Sequence, residues 1–207
     1  MESKTEFREK RFYPVFFMII LSFFFVGIVA AMYHSTSERI SLHNELQFKS
    51  KILNLFGLSN KEIEKQFEKS ISKKQKGDMI YYEAANEKGL IGYAFEISGS
   101  GLWGTINAVI AVSPDYKKIT GFDIISQNET PGLGGRITED WFKNQFINKI
   151  ILSGKKIVNF ELIPENEESK DNKIRQITGA TLSGKAVLKM IHNEYENILT
   201  EMEIEYD

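Results

Sequence analysis

The chain has 207 residues, 42% of them hydrophobic, enough for one domain of ordinary size plus an appendage. Lys and Arg number 26 against 28 Asp and Glu, a formal charge of −2, so no basic surplus exists to neutralise nucleic-acid phosphates. Cysteine is absent and the three histidines, His34, His43 and His192, are scattered. That excludes disulfides, thiol nucleophiles and cysteine-ligated clusters, and it argues against a protein-ligated metal, so any redox chemistry must come from an organic cofactor.

Phe12 to Met32 carries no charge and is rich in Phe, Ile, Val and Leu; a membrane span needs roughly 20 such residues. Pro14 falls in the first turn, where its missing N–H costs nothing. Lys4, Arg8, Lys10 and Arg11 precede the span, whereas Arg39 is the one basic side chain close behind it. This asymmetry predicts a cytoplasmic N-terminus over 1–11, a single transmembrane anchor over 12–32 and everything beyond on the outer, periplasmic side. The competing reading is a cleaved signal peptide with Val29 and Ala31 at the recognition positions, for which the apolar core is too long.

Residues 33–77 read as a helical stalk and docking helices. Leu42, Leu46, Leu53 and Phe56 share one stripe from Glu38 onward, with Gly57 as the stop. Ser59-Asn60-Lys61-Glu62 reads as a capping box opening a second helix, which carries Ile63, Phe67 and Ile71 and ends near Gly77. From 78 to 207 the pattern is that of a separate domain. Met79–Ala85 and Leu90–Ile97 flank one hairpin turn, and Thr105–Val112 and Ile119–Ser126 flank another. Thr138 is placed to cap a short helix bearing Trp141, Phe142 and Phe146; Ile157–Ile163 reads as a further strand and Pro164–Asn172 as an acidic loop. The class is α+β, with a mainly antiparallel sheet.

Three loops have compositions suited to a ligand. Gly99-Ser100-Gly101-Leu102-Trp103-Gly104 offers an aromatic face between glycines, unless Trp103 is a core residue with turn glycines around it. Glu129-Thr130-Pro131-Gly132-Leu133-Gly134-Gly135-Arg136 is suited to laying backbone polar groups along a ligand edge. It is not a dinucleotide fingerprint, because Ile137 stands where a third Gly would be needed and hairpins precede it. The third, Thr178-Gly179-Ala180-Thr181-Leu182-Ser183-Gly184-Lys185, opens the last helical pattern, in which Val187, Ile191, Tyr195 and Ile198 recur. Three hydroxyls and a lysine at a helix N-terminus suit an anion, a phosphate-bearing ligand held or covalently attached there. The alternative is a capped helix with Lys185 in solvent. A nucleotide P-loop is excluded: Ala186 replaces the Mg²⁺-binding hydroxyl, and only 22 residues follow Lys185.

In order and spacing, Gly101-Leu102-Trp103-Gly104, Glu129–Gly135 and Thr178–Ser183 resemble the FMN-binding domain shared by the C component of the Na⁺-translocating NADH:quinone reductase (Nqr) and the G component of the related Rnf complex. The resemblance implies a curved, mainly antiparallel sheet flanked by helices behind the anchor. It implies FMN joined through its phosphate to the Thr181 hydroxyl by a separate flavin transferase. Thr178, Gly179, Ala180, Leu182, Ser183 and Lys185 would surround the phosphate, and Trp103, Glu129, Thr130, Leu133 and Gly134 would flank the ring. No catalytic or metal-binding residue is implied, only electron relay within a complex of other membrane subunits in the bacterial inner membrane. The family motif carries Asp three positions before Thr178; here that position is Arg175. The Gly-Leu-Trp-Gly loop resembles the Nqr form and the modest length the Rnf form, and the loop is given the greater weight. The alternatives are the Rnf G component and a stand-alone membrane-anchored FMN protein.

Overall fold

The computed structural model describes residues 12–206, so the predicted segment 1–11, with its four basic residues, lies outside the described residues. The chain divides into two compact units, Met1–Gln47 and Phe48–Asp207. Helix α1 (Tyr13–Leu55) runs for 43 residues without a break, so the anchor and the stalk predicted from Glu38 are one helix. Its apolar stretch is exposed all round, and the helix is long and apolar enough to cross a membrane. α1 stops where a left-handed residue is easiest: Gly57 has φ +65°, Leu58 N–H donates to Leu53 C=O at 2.9 Å, and Gly57 N–H to Asn54 C=O at 3.0 Å. This Schellman pattern closes the last carbonyls, and Leu53 and Leu58 supply its apolar contact.

Helix α2 (Ile63–Ser70) is shorter than its predicted span, and the capping box does not form: Glu62 at the N-cap is left-handed and makes no side-chain cap. The remainder, Ile71–Lys76, is strand β1, paired antiparallel with β2 (Met79–Asn86). Its sequence ISKKQK carries one apolar residue, so no alternation marks it. It forms because β2 offers a row of unpaired backbone groups, and its lysines suit an outermost strand that must discourage further pairing. The sheet therefore begins at Ile71.

β3 (Gly89–Ser100), β4 (Thr105–Val112) and β5 (Ile119–Ser126) complete a five-stranded antiparallel sheet in the order β1-β2-β3-β4-β5. Both predicted hairpins are present, with register shifts at Ala84/Ala85 in the first and at Asn107/Ala108 and Ala111/Val112 in the second. β4 is apolar on both faces because both are covered. Ile106, Ala108, Ile110 and Val112 enter one core, and Val109 and Ala111 enter the other with Ile52, Leu53, Phe56 and Phe67.

The first of these cores is closed by the C-terminal helix and by a segment of short turns. The latter comprises a 3-10 turn (Gly134–Thr138), α3 (Asp140–Lys143) and another 3-10 turn (Asn144–Phe146). Thr138 does not cap α3; its hydroxyl donates to Gly135 C=O at 2.9 Å, and Glu139 holds the N-cap position. Phe142 and Phe146 are fully buried, each worth about 1.5–3 kcal/mol of transfer free energy. The strand predicted over 157–163 is split. Leu152–Ser153 (β6) pairs with Lys156–Ile157 (β7), and Glu161–Ile163 (β8) lies parallel to Lys173–Arg175 (β9). The last helix, α4 (Thr181–Glu201), buries Val187, Ile191, Tyr195 and Ile198 as the spacing predicts.

Candidate functional site

The turn before α4 sets the geometry. Ala180 N–H donates to Ile177 C=O at 2.9 Å, closing a turn whose third residue, Gly179, has φ +79°. A side chain there would be strained, which is why the motif needs Gly at this place. Thr181 is thus the first residue of α4, and no side chain caps the helix. Its first N–H groups are therefore left for water or a ligand, at the positive end of the dipole. The Thr181 hydroxyl is half-buried and donates to Gln176 Oε1 at 3.0 Å. Leu182 and Lys185 point outward.

The Glu129–Gly135 loop folds against this turn. Thr130 C=O accepts from Leu133 N–H at 3.2 Å and Gly135 N–H at 2.9 Å, and Leu133 comes within 3.2 Å of where a Cβ would stand on Gly179. The Gly101–Gly104 loop is pinched by a Gly101 N–H to Gly104 C=O bond of 2.8 Å. Together the three segments present four large apolar side chains at one rim: Leu102 (51% exposed), Trp103 (71%), Leu133 (46%) and Leu182 (60%). A cluster of exposed apolar side chains is a feature of binding surfaces.

Two of the expected site residues turn inward instead. Ser183 is buried and its hydroxyl donates to Glu129 Oε2, so it is not free for a phosphate. Glu129 is 4% exposed and accepts Leu102 N–H at 2.8 Å and Trp103 N–H at 3.0 Å through Oε1. Thr178, Gly179, Ala180, Thr130 and Gly134 lie within the three converging segments, with Ala180 and Gly134 buried.

Side chains outside the expected site residues brace the N-terminal side. Glu165, from the acidic loop, accepts Thr178 N–H at 2.9 Å; the Thr178 hydroxyl and amide hold its carboxyl below the usual carboxylate range. Arg136 pairs with Glu165 at 3.6 Å and with Glu139 at 3.1 Å. The Trp141 indole N–H, and then Arg136, hold the Glu139 carboxyl low as well. The guanidinium carbons of Arg136 and Arg175 each lie 5.6 Å from the Trp141 ring centroid. Arg175 is further tied by its backbone N–H to Gln145 Oε1 at 2.8 Å. Nothing local in the sequence marks Glu165 or Gln176, since each is defined by a contact to a distant or turned-back segment.

These residues fit FMN at both ends. The uncapped helix start and the Thr181 hydroxyl suit a phosphate, and the apolar rim suits a flat uncharged ring. Among the described residues no group of His, Cys, Asp and Glu is arranged to hold a metal ion.

Residues 101–196 match the FMN-binding domain family. The chain is 30% identical over 173 residues to the G component of the proton-translocating ferredoxin:NAD(+) oxidoreductase complex of Clostridium ljungdahlii, covering 84% of this chain and 83% of that protein. It is 30% identical over 107 residues to the C component of the Na(+)-translocating NADH-quinone reductase of Neisseria meningitidis, covering 51% of this chain and 42% of that one. The fold matches the crystal structure of the C component of the Na(+)-translocating NADH-quinone reductase from Parabacteroides distasonis with a TM-score of 0.67 at 23% identity, over 81% of this chain and 97% of that one.

Proposed function

This chain belongs to the FMN-binding domain family that includes the Nqr C and Rnf G components, and from that premise we propose that it is a membrane-anchored electron-relay subunit, with FMN esterified to Thr181. The observation that carries the reading is the half-buried Thr181 hydroxyl at the first position of an uncapped helix, beside the Leu102, Trp103, Leu133 and Leu182 rim.

FMN, when bound, supplies the capacity to accept and pass on electrons. The chain's own residues hold and orient it. The first N–H groups of α4 neutralise phosphate charge, and Lys185 in the same turn adds a cation. Gln176 accepts the free Thr181 hydroxyl; once the oxygen is esterified, the same side chain has an amide N–H₂ to offer instead. The apolar rim excludes water from one edge of the ring. No side chain at the rim is a general base or nucleophile for a small substrate, so the partners at each end of the relay are other membrane subunits.

In this reading residues 1–11 are cytoplasmic, 12–32 span the bacterial inner membrane once, the helices up to Ser70 form stalk and docking segments, and the sheet domain that begins at Ile71 carries FMN on the outer side. A flavin transferase supplies the FMN. The Arg175 side chain, at the position where the family motif has Asp, donates through Nε to Gln145 Oε1 at 3.3 Å and lies over the Trp141 ring.

The choice of complex rests on two opposed observations. The Gly-Leu-Trp-Gly loop favours the Nqr form, whereas the coverage of 83% of the G-component relative against 42% of the C-component relative favours Rnf. Co-purification with partner subunits separates them. For the attachment itself, the intact mass of the natively expressed chain should exceed the sequence mass by one FMN minus water. Thr181→Val should abolish that gain and the fluorescent band on a denaturing gel. A band that survives the substitution overturns the claim.

A further inference from the structure

We propose that Glu129 is a positioning residue that locks the Trp103 loop to the first turn of α4, so that the two sides of the site move as one body. The inference rests on reading this rim as the FMN site, but its test does not need the flavin.

Glu129 lies between the two segments, and its exposure of 4% leaves it no surface for a ligand. One oxygen takes the amides of Leu102 and Trp103, and the other takes the Ser183 hydroxyl, two residues beyond Thr181. Its own N–H is taken by Gln127 Oε1, which fixes the backbone from which it projects. A buried carboxylate is costly unless it is paired or hydrogen-bonded. Here three donors from two segments meet it, so the loop and the helix start are bound to the same rigid group.

The space around the carboxylate is reserved for it. A Cβ on Gly101 or on Gly134 would approach Glu129 carboxylate oxygens closer than 3.0 Å. The glycines of two of the ligand-like loops thus serve this buried group as well as any ligand. Displacing Ser183 must loosen Leu102 and Trp103, although no hydrogen bond joins them to Ser183 directly. That coupling across the site is what separates positioning from ordinary loop stability.

Chemistry also decides how the variants rank. Glutamine can keep its carbonyl on the two amides and turn its N–H₂ toward Ser183, whose hydroxyl can accept as well as donate. Alanine keeps nothing.

The test is amide hydrogen exchange on the full-length chain in detergent micelles, in a Thr181→Val background that carries no attached flavin. Glu129→Ala should speed exchange at Leu102 and Trp103 by about 10- to 100-fold, the loss expected for bonds to a charged acceptor. Glu129→Gln should stay close to the parent. Ser183→Ala should speed the same two amides by about tenfold or less. Unchanged exchange at Leu102 and Trp103 in Glu129→Ala or in Ser183→Ala overturns the proposal. So does a Gln variant that exchanges as fast as the Ala variant. Should Glu129→Ala fail to fold, the Gln and Ser183 variants still decide. Flavin attachment failing in the parent chain would sink the functional reading and leave these rates untouched.

Discussion

A Cβ added to Gly134 would fall closer than 3.0 Å to the Ser183 hydroxyl and 2.8 Å from Glu129 Oε2. The Glu129–Gly135 loop therefore packs on the first turn of α4 with no room for a side chain at Gly134, which brings the Leu133 side of the rim close to Thr181.

Gly134→Ala should wedge this contact open. Overpacking of this kind costs about 1–3 kcal/mol, read as a lowered melting temperature. Because the wedge sits between loop and helix start, flavin incorporation should fall too, whereas an alanine at Gly154, strained by φ +64° but with nothing within 4 Å of its Cβ position, should lower the melt and leave incorporation intact.

Trp103→Ala should separate stability from ligand contact. The indole is 71% exposed, and its loss should change stability by no more than about 0.5 kcal/mol. Removing an aromatic face from a bound ring forfeits about 0.5–1.5 kcal/mol of stacking. The expected result is an unchanged melt of the flavin-free Thr181→Val chain and a shifted flavin absorption band in the loaded one; an unshifted band would show that Trp103 does not face the ring.

Acid should release the Thr178 amide. Hydrogen bonds from the Thr178 hydroxyl and amide hold the Glu165 carboxyl below its ordinary value of 4.5, and Arg136 acts in the same direction. A carboxyl depressed in the folded state stabilises it at pH above the unfolded value, and that contribution is lost as pH falls through the folded one. The Thr178 amide chemical shift should therefore titrate with a midpoint below 4.5 and stop titrating in Glu165→Gln.

Tyr195→Phe tests how α4 is fastened to the sheet. The fully buried Tyr195 hydroxyl donates to the carbonyl of Tyr116, a left-handed residue with φ +59° in the β4–β5 turn. Losing that bond should cost about 0.5–1.5 kcal/mol. At about 2–4 °C per kcal/mol for a chain of this size, thermal melts detect it.

Several features were legible without coordinates because they are local. The Thr105–Val112 and Ile119–Ser126 strands follow from apolar residues around a Ser-Pro-Asp turn, and the end of α1 from Gly57, whose left-handed φ is cheap only for glycine. The turns of the glycine-rich loops and the start of the last helix were legible for the same reason, since turn chemistry and helix termini are short-range.

What tertiary structure alone decided depends on partners far away in the chain. Ile71–Lys76 became a strand because β2 lay beside it, and β8 found β9 across the acidic loop. Glu165 reached back to Thr178, and Gln176 took the Thr181 hydroxyl. The helix start itself was determined by its own residues: a glycine turn followed by a helix with no side-chain cap. Which of its hydroxyls faces outward was not. Ser183 turned inward to Glu129, 54 residues away, because a buried carboxylate must find donors wherever the fold supplies them.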